Sequence, residues 1–240
     1  MQIDLFIPCF IDQFYPETAL NMIRILKKLG CDVHYNPEQT CCGQVAFNNG
    51  FWDDAKEIGE KFINDFPHDR PIVTPTTSCS GFVKNYYHEL FHNSGLHLEA
   101  KMLKKNMTEF TDFVVNTLKV TKLGAEFNHT VTYHDSCTAL REYRLGDEPR
   151  KLLANVKGLT LVEMEERDEC CGFGGSFSVK NEPISTAMAE QKVDHALETG
   201  AEYIVSTDAS CLMHQAGYIS KHKIPLKTAH IIDVLASGWE

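Results

Sequence analysis

Eight of the nine cysteines in this 240-residue chain fall into two quartets of matched spacing. Cys9, Cys41, Cys42 and Cys79 form the first; Cys137, Cys170, Cys171 and Cys211 form the second. In the first, 31 residues separate the lead cysteine from the pair and 36 separate the pair from the closing cysteine; in the second the gaps are 32 and 39. Each pair is followed by glycine, Gly43 or Gly172. The closing cysteines end the runs Ile72-Val73-Thr74-Pro75-Thr76-Thr77-Ser78-Cys79 and Ile204-Val205-Ser206-Thr207-Asp208-Ala209-Ser210-Cys211, identical at four of eight positions. Self-similarity in fixed order marks a duplicated unit. The expected units are 1–125 and 126–240, with the seam near residues 121–129. Cys31 has no counterpart in the second half and reads as a packing residue.

Each half alternates strand-like and helix-like segments. Ile3–Ile7 is a short apolar run ending at Pro8-Cys9. Pro16 suits the first turn of a helix whose apolar stripe is Leu20, Ile23, Leu26 and Leu29 and whose stop is Gly30. A helix over about 51–66, a strand at Ile72–Thr74 and a helix over Phe82–His92 follow. The second half repeats the order, with strands at Thr130–Tyr133, Leu159–Val162 and Tyr203–Val205 and a helix over about 183–198. This alternation predicts an α/β fold of two duplicated units, each a parallel sheet flanked by helices, related by pseudo-twofold symmetry. In parallel sheets ligands gather beyond the carboxyl ends of the strands. Cys9, Cys79, Cys137 and Cys211 each come just after a strand-like run.

Composition narrows what these thiols can be for. Hydrophobic residues make up 43% of the chain, enough to build a core without disulfides. The net charge of -10 argues against nucleic acid and against a polybasic membrane anchor. No apolar run has the length of a membrane span, and the N-terminal stretch lacks a signal-peptide pattern, so a cytoplasmic location with reduced thiols is expected. Clustered cysteines there are metal ligands or redox groups more often than staples. Structural zinc sites usually pair their ligands as C-x₂₋₄-C, a spacing absent from both quartets. Adjacent cysteines serve more readily on a centre several ångströms across, and four thiolates are the usual ligand set of a [4Fe–4S] cluster.

Several stretches carry a family resemblance: Glu38-Gln39-Thr40-Cys41-Cys42-Gly43-Gln44, Tyr133-His134-Asp135-Ser136-Cys137, Cys170 through Lys180, and Ser210-Cys211-Leu212. They resemble the CCG-domain (cysteine-rich) iron–sulfur family over essentially the whole chain. That family includes the cysteine-rich subunit of heterodisulfide reductase and the glycolate oxidase iron–sulfur subunit, and the match is best to its lactate utilization A (LutA/YkgE) group. The resemblance implies an electron-transfer subunit holding up to two iron–sulfur clusters. It also implies LutB-like and LutC-like partners in oxidising L-lactate to pyruvate. The broader family closes each motif with C-x-x-C, where this chain has Phe82 and His214. Each site thus has four cysteines, which suits a cubane and weighs against a heterodisulfide or thiol–disulfide reductase, the alternative reading. His214 stands as a further candidate ligand.

One motif competes. His88-Glu89-Leu90-Phe91-His92 is H-E-x-x-H, the zinc-metallopeptidase pattern, with Gly95 and His97 nearly extending it. Asn93-Ser94-Gly95 equally suits a helix end, and the segment has no equivalent in the second half. Asp135, beside Cys137, reads either as a turn residue or as a group orienting the site. Arg141 and Arg144 could offset a cluster's negative charge. The acidic run Glu163–Glu169 reads as a solvated loop or a docking face. No G-x-G-x-x-G or Walker A motif appears, so a nucleotide cofactor is not expected.

Overall fold

The computed structural model describes residues 1–66 and 69–239. Two four-stranded sheets form, every pairing between their strands parallel. The first contains β1 (Gln2–Leu5), β2 (Asp32–Tyr35), β3 (Ile72–Thr74) and β4 (Met107–Glu109) in the order β2-β1-β3-β4. The second contains β5 (Thr130–Tyr133), β6 (Thr160–Leu161), β7 (Tyr203–Ser206) and β8 (Lys227–His230) in the order β6-β5-β7-β8. The duplication read from the cysteines is therefore a duplication of topology. Central strands are buried almost throughout, as parallel strands covered by helices on both faces must be. β2 and β6, at the sheet edges, stay largely exposed.

The helices depart from the sequence reading in register. The Pro16–Lys28 helix buries Thr18, Ala19, Met22, Ile25 and Leu26, while Leu20 is 47% exposed. At 100° per residue those five share one face and Leu20 turns away from it. The helix expected over Phe82–His92 runs instead from Thr77 to Leu90, with the Thr76 side chain accepting the Ser78 N–H as its cap.

One continuous apolar core joins the two sheets: Ile3, Leu5, Ile25 and Phe113 pack in the same cluster as Val131, Leu153, Val205 and Ile232. Polar contacts fix the alignment. Asp112 accepts from the Tyr143 hydroxyl at 2.5 Å, and Asp233 accepts from Thr18 and Asn21 at 2.8 and 2.9 Å. Asp208, 1% exposed, accepts from Thr76 Oγ1 at 2.5 Å, Thr138 Oγ1 at 2.8 Å, Ser78 N at 3.3 Å, and the hydroxyls of Thr77 and Ser136. Thr76 and Asp208 hold the same place in the two matched runs. Equivalent positions that touch each other lie at a local two-fold axis.

Glu109 and His230 are likewise equivalents, each ending the last strand of its sheet and capping the helix that follows. Burial raises the Glu109 carboxyl to about 8, even though one of its oxygens accepts from Thr111 and Asp112. Asp112, held by the Tyr143 hydroxyl, adds to that rise. A carboxyl whose folded pKa exceeds its unfolded value loses stability as pH rises between the two. The Glu109-dependent part of the unfolding free energy is expected to fall from about pH 4.5 to about pH 8, with a slope approaching ~1.4 kcal/mol per pH unit. Urea unfolding across that range should show the descent flattened in Glu109→Gln. The same slope in both proteins would exclude Glu109 as its source.

Candidate cysteine-lined site

Each cysteine is delivered by the element before it. Cys9 opens a short helix after β1, and Cys137 precedes the helical turn after β5. Cys79 and Cys211 lie in the first turns of the helices that follow β3 and β7. The Cys41-Cys42 and Cys170-Cys171 pairs sit in loops, and their glycines adopt nearly the same left-handed backbone, φ +88° at Gly43 and +87° at Gly172. Each glycine N–H points at the first cysteine of its pair at 3.4 Å. A side chain at Gly172 would place Cβ 2.6 Å from the Ser185 carbonyl oxygen, so both the turn and the close packing require glycine there.

All eight cysteines line one cavity of about 220 Å³ between the two sheets. Two separate sites were expected; the packing of the units turns both quartets toward the same space. The walls are completed by Phe10 and Val45 from the first unit and by Phe173 and Gly174 from the second. Lys180 reaches across to Asn49 on the opposite wall at 3.1 Å. Cys31 is buried in the main core, away from the cavity.

The thiols interact within each quartet. S–H donation from Cys42 and Cys9 pushes Cys41 down to about 3; donation from Cys137 and Cys171 pushes Cys170 down to about 2. The donors move the other way. Cys9, Cys42, Cys137 and Cys171 are raised because each gives its S–H to that thiolate, and burial adds to the rise. Cys211 is lowered to about 7, first by its contact with Cys171 and then by His134. At least one thiolate per quartet is thus supported by the protein alone. A cationic centre would let the neighbouring thiols ionise as well, so this donor set fits a thiolate-ligated metal cluster.

His134 was not singled out in the sequence. It is fully buried, and a ring nitrogen lies within 4.8 Å of the sulfurs of both Cys171 and Cys211. Among the described residues this trio is the one group of histidine, cysteine or carboxylate side chains placed closely enough to share a metal ion. A signal was available: aligning the halves on Cys9 and Cys137 sets His134 against Phe6. His214 points elsewhere, its Nε2 engaging the hydroxyl and carbonyl of Ser185 at 3.1 and 3.3 Å. Asp135 is committed to Arg150, which grips both its oxygens at 2.9 and 2.7 Å and also binds Glu163. The H-E-x-x-H segment is not a helical metal motif. Its helix ends at Leu90, leaving His92 in the turn beyond, and His88 pairs with the neighbouring Glu89 at 3.9 Å.

The similarities found for this chain cover both halves. Residues 3–84 and 131–215 match the family described as CCG, cysteine-rich domain. The chain is 40% identical over 235 residues to lactate utilization protein A of Geobacillus kaustophilus, covering 98% of each chain. It is 39% identical to the protein of the same name from Oceanobacillus iheyensis, covering 100% of this chain and 98% of that one. A crystal structure of a hypothetical protein from Helicobacter pylori shares the fold, with a TM-score of 0.63 at 11% identity. It matches 100% of this chain, which spans 49% of that one. No helix among the described residues is long and apolar enough to cross a membrane. By its duplicated motif and by these full-length relatives, the chain belongs to the CCG cysteine-rich domain family, in its lactate utilization protein A group.

Proposed function

We infer that this chain is an iron–sulfur electron-transfer subunit of an assembly that oxidises L-lactate to pyruvate. The observation that carries the reading is the convergence of two four-thiol sets on one cavity. Lactate enters through the name of the relatives. Cys9, Cys41, Cys42 and Cys79 would hold one cluster, and Cys137, Cys170, Cys171 and Cys211 the other, each most simply a [4Fe–4S] cubane. Such clusters supply one-electron transfer, and lactate oxidation releases two electrons, so two centres in one cavity suit a short relay. The residues of the chain do the holding. Gly43 and Gly172 donate their N–H groups to Cys41 and Cys170, and Asp208 ties together segments that carry cysteines from both units. Hydride chemistry on lactate would fall to LutB-like or LutC-like partners in the cytoplasm, because the sequence carries no nucleotide-cofactor motif.

Protein purified without oxygen is expected to contain about eight iron and eight acid-labile sulfide per chain, the content of two cubanes. It should oxidise L-lactate with an artificial acceptor only after partner subunits are added. Stoichiometric zinc without sulfide would overturn the cofactor assignment. Turnover of lactate by this chain alone would overturn the assignment of its role.

A further inference from the structure

Resting on the cluster reading above, we propose that His134 donates a ring N–H to the thiolate sulfur of Cys211, making the second cluster easier to reduce than the first. His134 is fully buried, and neither ring nitrogen reaches a nitrogen or oxygen partner among the described residues. Leaving a buried imidazole unpaired is costly, and such groups mark strain, a ligand or a redox role. The groups it faces are the sulfurs of Cys171 and Cys211, with all three ligand atoms within 4.8 Å of one another. Both cysteines line the cavity and His134 does not, so the ring stands behind the sulfurs. That is the place of an N–H donor to a ligand; an iron ligand would line the cavity itself. The Gly172 N–H already serves Cys170, and of the two sulfurs facing the ring it is Cys211 whose ionised form His134 favours. Cys211 is therefore the acceptor for His134.

The first unit cannot make this contact. His134 and Phe6 occupy equivalent places, three residues before Cys137 and Cys9. Phe6 is equally buried, but its ring packs edge-on against Phe62 at 4.7 Å and has no N–H. Hydrogen bonds to cluster sulfurs stabilise the more negative, reduced state and so raise the reduction potential. The duplicated sites are therefore inequivalent, and electrons entering the cavity settle on the second.

The test is an EPR-monitored redox titration of the full-length protein, with iron and sulfide measured on each sample. Wild type should give two resolved potentials. H134F, which copies Phe6, should lower one potential, leave the other in place and keep full iron content. H134Q, which restores an N–H donor, should recover part of the shift, and it carries the comparison if H134F does not fold. A loaded variant with unchanged potentials would overturn the proposal. Loss of about half the iron in both H134F and H134Q, with strong ¹⁴N coupling in the wild-type spectrum, would make His134 an iron ligand and overturn the donor assignment. Wild-type protein without iron or sulfide would instead sink the cluster reading itself.

Discussion

Cys170→Ser is expected to remove about half of the iron and sulfide while leaving the spectrum of the first site in place, since a cubane missing one of its four thiolates is readily lost. The same result is expected for Cys171→Ser, and the converse for Cys41→Ser and Cys42→Ser. Cys170 and Cys41 are the acidic thiols of their sets, stabilised by S–H donors on either side and by the glycine N–H. Serine is a poor ligand and restores neither the charge nor the sulfur contacts. Cys31→Ala is the control. Its side chain packs in the core between the units, so it should lower stability modestly and leave iron content unchanged. Full iron in both Cys42→Ser and Cys171→Ser would show that the second cysteine of each pair is not a ligand.

Asp208→Ala is expected to cost about 3–5 kcal/mol of unfolding free energy, a large share of the stability of an ordinary domain. The carboxylate gathers the hydroxyls of Thr76, Thr77, Ser136 and Thr138 and the Ser78 N–H in a buried place between the units. Removing it leaves several donors without an acceptor, each carrying a desolvation penalty of about 1–3 kcal/mol where no other partner is found. Asp208→Asn keeps one acceptor oxygen and should cost less. Because Ser78, Thr138 and Ser210 also line the cavity, iron retention should fall along with stability. Chemical denaturation beside iron analysis separates the two effects. An Asp208→Ala midpoint within error of wild type would mean that the hydroxyls satisfy one another without the carboxylate.

The same Asp208 lies at the limit of what the sequence makes legible. In the matched runs it appears only as a difference, aspartate where the first copy has threonine. Its partners lie up to 132 residues away, and no local pattern joins them. β4 and β8 escaped for a related reason. Met107-Thr108-Glu109 and Lys227-Thr228-Ala229-His230 are short and mixed in polarity, and they become strands by pairing with β3 and β7. In the H-E-x-x-H segment, the residues that suit a helix end did end the helix, and with it the zinc geometry.

Spacing and periodicity by themselves determined the duplicated α/β plan, the placing of Cys9, Cys79, Cys137 and Cys211 at strand ends, and the packing role of Cys31. Those features depend on residues near one another in the chain, where side-chain period and turn chemistry act directly. Only the tertiary structure decided that both quartets face one cavity, that Asp208 is its brace, and that a buried imidazole faces Cys171 and Cys211 where the equivalent phenyl ring of the first unit packs on Phe62. These outcomes depend on how two sheets share a core. That docking is set by shape and by polar satisfaction across more than a hundred residues of chain, information that no single segment contains.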